Sequence, residues 1–139
     1  IANAGDGSTN AVVGNSGGRS ADTGTHQVVN TTVALAKSVV ITDPLGGNQP
    51  VTGATLTYRI DATVVGPGTA TGVVVTDVLP ATTSYTGGPL ILNTVTLTDI
   101  ADGDAGDVND SAVNTVTVNL GDLSAASPAQ TVSFEVTIN

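Results

Sequence analysis

Five of the chain's twelve acidic residues fall within one short string, DIADGDAGDVND. They are Asp99, Asp102, Asp104, Asp107 and Asp110. Carboxylates crowded this closely repel one another, by about 1 kcal/mol per close pair in water and by more where water is excluded. A hard cation relieves that repulsion, and Ca²⁺ takes about six to eight oxygens, readily from a flexible loop. Gly103 and Gly106 permit the turns that would bring alternate aspartates together. Calcium is thus the one cofactor this sequence suggests, against the plainer reading of a solvated acidic loop in a chain of net charge −9. The string is not an EF-hand, because no glutamate closes it and no helices flank it.

Nothing else in the sequence supports catalysis. His26 is the only histidine, and it sits among glycine and threonine with no nucleophile nearby. Cysteine is absent, so there is neither a redox pair nor a zinc spacing, and no phosphate-binding glycine loop or nucleophile elbow occurs. An autocatalytic Lys–Asn isopeptide crosslink would need Lys37 beside an amide and a buried acid. Glu135 stands on the parity opposite Phe134 and is expected to face solvent, so that crosslink is not expected. The protein reads as a non-enzyme.

The elements that would position the acidic loop are strands. Threonine and valine dominate, Glu135 is the only glutamate, and Tyr58, Tyr85 and Phe134 are the only aromatics. This composition disfavours helix and leaves aliphatic side chains to fill the core. Ala54–Val65 alternates, with Leu56, Tyr58, Ile60 and Ala62 on one face. Thr131–Ile138 places Val132, Phe134, Val136 and Ile138 on its core face, and Val113–Leu120 does the same with Val116, Val118 and Leu120 before a Gly121-Asp122 turn. Val73–Leu79 has valine on both parities and is expected to be a central strand, forced out at Pro80, which has no N–H for a ladder. Gln27–Ala36 runs on into Lys37–Thr42, and Leu90–Leu97 is one further strand. The expected fold is all-β, an immunoglobulin-like antiparallel β-sandwich of seven to nine strands with an extended N-terminal segment. The division is an extended segment over 1–26, a candidate donor strand, and a sandwich domain over 27–139.

Charge and hydropathy bound the partners. With Arg19, Lys37 and Arg59 the only cations, the chain repels nucleic acid and anionic membrane surfaces. No apolar run approaches the roughly 20 residues of a membrane-spanning helix, so no membrane insertion is expected. The start at Ile1 reads as a processed or trimmed mature chain. Asn30-Thr31-Thr32 and Asn109-Asp110-Ser111 fit the glycosylation sequon, a fit that chance explains in so Asn- and Thr-rich a chain.

Four pieces in order, LTYRI (Leu56–Ile60), GPGTATGVVVTDVLP (Gly66–Pro80), VTVNLGDL (Val116–Leu123) and TVSFEVTI (Thr131–Ile138), carry a resemblance over about Val33–Asn139. The chain resembles the conserved-repeat domain of prokaryotic surface proteins, a family formally of unknown function. The resemblance implies an immunoglobulin-like sandwich in an extracellular or cell-surface protein without enzymatic activity, and it names no adhesion target. Family members often carry a similar acidic insert. In tandem members the last core strand is followed by a strand pair leading into the next repeat, and the first 30 residues here resemble that pair.

Two placements follow for the N-terminal segment. It folds back on its own sandwich, or it leaves and completes the sandwich of another copy. The expected function is a structural subunit of an extracellular filament, self-assembling head to tail by donor-strand exchange with copies of itself. The alternative is a stalk or adhesive module of a larger surface protein. The expected donor residues are Ala11, Val12, Val13, Val28, Val29 and Val33. The expected acceptor groove lies beside the last strand, at Val132, Phe134, Val136 and Ile138.

Overall fold

The computed structural model describes residues 30–139. Residues 1–29 lie outside the described part, and with them His26, the expected donor residues Ala11, Val12, Val13, Val28 and Val29, and the extended segment expected over 1–26. The described residues form nine strands: β1 (Thr32–Thr42), β2 (Thr55–Val65), β3 (Thr69–Val78), β4 (Thr83–Ser84), β5 (Leu90–Leu92), β6 (Val95–Leu97), β7 (Gly106–Val108), β8 (Thr115–Ser124) and β9 (Gln130–Ile138). They make an antiparallel β-sandwich. One sheet runs β1-β2-β9-β5-β6, with β4 also on β9, and the other runs β3-β8-β7.

The alternation in the sequence becomes the core directly. Leu56, Ile60, Val132, Phe134 and Val136 from the larger sheet meet Val75, Val116 and Val118 from the smaller one. Phe134 is fully buried, its ring 5.4 Å from that of Tyr58. β1 ends where Asp43 turns the chain. Its carboxylate accepts the N–H groups of Leu45 at 2.8 Å, Gly47 at 3.1 Å and Gln49 at 3.2 Å. This satisfies donors that a strand end would otherwise leave open.

Several expected boundaries shift, each for a local reason. Leu90–Leu97 is not one strand but the hairpin β5–β6, reversed at Asn93, whose φ of 58° asparagine tolerates better than most residues. Val113 stands 91% exposed ahead of β8. Gly121-Asp122 is no terminal turn: β8 continues to Ser124, and Gly121 opposes Val73 beside a bulge in β3. The acidic stretch contains a strand, β7, which buries Asp107 and Val108.

The largest shift concerns the sheet edges. The expected open edge beside Thr131–Ile138 does not exist, because β9 pairs with β2 on one side and with β4 and β5 on the other. Val132, Phe134 and Val136 are interior residues of a fully paired strand. Conversely β3, expected to be central, pairs with β8 alone among the described residues. Its free edge and that of β1 belong to opposite sheets.

Candidate assembly groove

The two free edges face each other. β1 is in antiparallel register with β2, Leu35 opposite Ala62, Lys37 opposite Ile60 and Val39 opposite Tyr58. Ala62 and Ile60 are core residues, so Val33, Leu35, Lys37, Val39 and Ile41 form the inward face of β1. That face is not covered. Val33 is 37% exposed, Leu35 59% and Val39 46%. The sheet above it stops at β3, whose inward residues are Val73, Val75 and Asp77. A cleft therefore runs along the sandwich, floored by the apolar inner face of β1 and walled by the unpaired edge of β3.

One contact spans the cleft. The Lys37 ammonium pairs with Oδ2 of Asp77, and its nitrogen sits 4.4 Å from the centroid of the Tyr58 ring. Asp77 is the less exposed partner, with 15% of its side chain open against 42% for Lys37. Sequence parity placed Asp77 with Val73 and Val75, yet gave no sign that an inward lysine would meet it from the other sheet.

Val33 is the one expected donor residue within the described part, and it lies on the cleft floor. The strand also sets the direction of the chain. Thr32 pairs with Val65 at one pole, while Thr42 pairs with Thr55 and Thr55 with Thr137 at the other. The chain thus enters β1 at the pole opposite Asn139, roughly 35 Å away at about 3.3 Å per residue.

The acidic loop lies elsewhere, at the β7 end of the smaller sheet, and its carboxylates are taken up by local hydrogen bonds. Asp99 accepts the Tyr85 hydroxyl at 2.6 Å. Burial, with the Asp99 carboxylate beside it, pushes that phenol above its ordinary range. Asp102 accepts the Thr98 hydroxyl at 2.9 Å and the Asp104 N–H at 2.9 Å. Asp104 accepts the N–H groups of Gly106 and Thr98, which hold it below the usual carboxylate range. Asp107 accepts from Ser111 and Asp110, and Asp110 accepts the Ala101 N–H at 2.6 Å. Among the described residues no group of three or more metal-ligating side chains is placed to hold an ion. The carboxylates act as turn-forming acceptors.

Comparison with family models, curated proteins and solved structures finds no match. The open cleft is accordingly the feature that a function must explain. The glycosylation candidates Asn30 and Asn109 are both exposed.

Proposed function

We propose that the protein is a structural subunit of an extracellular filament or cell-surface fibre, assembled head to tail by strand donation between copies. The observation that carries this reading is the cleft between β1 and β3, where two edge strands of opposite sheets have no further neighbour among the described residues. A strand added beside β3 satisfies its main-chain groups and covers Leu35 and Val39. The occupant is the segment before Asn30 of a second copy, with the apolar patch Ala11–Val13 seated on the floor. This relocates the expected acceptor site from β9, in the middle of the larger sheet, to its β1 edge.

The energetics permit it. Several hundred Å² of apolar burial at ~25 cal/mol per Å² supplies on the order of 10 kcal/mol gross. Ordering the donor and losing its freedom subtract from that figure. A head-to-tail donation whose rotation does not close into a ring gives an open filament, and the entry to β1 at the pole opposite Asn139 suits axial growth. The resemblance to surface-protein repeats supports the extracellular setting.

A stalk or adhesive module is the second reading, favoured by the same opposite poles, which suit beads on a string. Negative-stain imaging of the purified full chain separates the two. Filaments with a regular axial repeat support the proposal; single particles at every concentration overturn it.

A further inference from the structure

Lys37 and Asp77 invite a covalent reading that does not depend on assembly. Carboxylates that work as charged groups in this fold are surrounded by donors. Asp43 receives three N–H groups, and Asp61 receives Arg59 and the Thr131 hydroxyl at 2.6 Å. Asp77 differs. Among the described residues its buried Oδ2 meets no hydrogen-bond donor other than the Lys37 amine. Among the described residues Lys37 in turn meets this carboxylate and the face of Tyr58, with part of its side chain open to solvent. An amine and a carboxyl thus meet directly between two sheets, with no other side chain among the described residues bonded to the buried oxygen.

We infer that Lys37 and Asp77 condense into an intramolecular amide, a crosslink joining β1 to β3. One proton passes from the ammonium to the carboxylate across their direct contact, giving the neutral amine and acid that react. The Nζ lone pair adds to Cγ. The tetrahedral adduct expels one carboxyl oxygen as water, which carries a second proton from Nζ. The products are one amide and one water, and no oxidant or activating group is consumed. Positioning supplies the drive, since well-oriented partners reach effective concentrations of order 10⁵ M and above. The open cleft gives the water its exit.

The position suits a crosslink. Among the described residues β1 pairs with β2 and β3 with β8 in opposite sheets, so an amide between them would tie the two sheets together directly. An Asn partner and a buried acid, the features a sequence search looks for, are replaced here by an Asp partner that needs only to lose water.

The test is the intact mass of the folded full chain. The crosslinked protein is lighter than its sequence by one water, and the deficit vanishes in Lys37→Arg and in Asp77→Ala. Trypsin then fails to cut after Lys37 and yields a branched peptide holding Lys37 and Asp77 together. A wild-type mass equal to the sequence overturns the inference. So does a water deficit that persists in Lys37→Arg, which would mark a backbone succinimide at Asp6-Gly7 or Asp102-Gly103.

Discussion

Lys37 and Asp77 meet across the two sheets at the place where each of their strands has a single neighbour. Their contact bridges the cleft without filling it. The apolar floor on either side, Leu35 and Val39, is left to whatever strand enters.

That division of labour is separable by mutation. Leu35→Lys replaces an exposed side chain, so the stability of the monomer changes by no more than about 0.5 kcal/mol. Assembly, in contrast, is lost, because the charge would have to be buried under the incoming strand. Urea denaturation and electron microscopy of the same variant read the two effects side by side.

Gly106 tests the smaller sheet. Sequence suggests a loop glycine chosen for its turn, but it lies in β7 because the chains approach closely there. An added Cβ would sit 2.8 Å from Leu97 Cδ1, 3.0 Å from Leu90 Cδ2 and 3.2 Å from the Thr117 carbonyl oxygen. Gly106→Ala is expected to cost about 1–3 kcal/mol by overpacking, measured as a fall in the urea midpoint with unchanged slope. Gly103→Ala, which meets open space, leaves the midpoint in place.

Acid lability should trace in part to Asp43. Three backbone N–H groups hold its carboxyl below the usual range, so the folded state binds this proton less readily than the unfolded chain does. The resulting stability is fully present above the unfolded carboxylate pKa of about 3.9 and is lost as pH falls through the lower, folded value. Asp61 and Asp104 are shifted the same way and share this acid limb. Melting temperature followed from neutral pH downward should fall less steeply for Asp43→Asn than for the wild type, from a lower starting point.

The parts of the fold legible in sequence were those where period-two alternation meets a buried face. β2 and β9 follow from it almost residue by residue. The β5–β6 hairpin did not, because Asn93-Thr94 lacks the glycine that usually marks a two-residue turn and the flanking leucines read as one run. β8 overran its expected end because Gly121 is absorbed as a bulge partner of Val73. Edge status was misread on both sides of the sandwich. Valine on both parities marks a strand that is covered on both faces, and β3 carries that pattern while its edge and Val74 and Val78 stay exposed. The cleft itself was hidden because parity within one strand says nothing about which strand of the other sheet stands opposite.

The central claim is that the N-terminal segment of one copy lies in the β1/β3 cleft of another. The most direct measurement places a photo-crosslinking residue at Leu35 in an equimolar mixture of isotopically light and heavy full-length chains, assembled together and irradiated. The account predicts crosslinks from position 35 to peptides of residues 1–29, with light–heavy pairs as abundant as same-isotope pairs. Crosslinks confined to same-isotope pairs would place the segment on its own sandwich, and an absence of any crosslink to residues 1–29 would leave the cleft without its donor; either result contradicts the account.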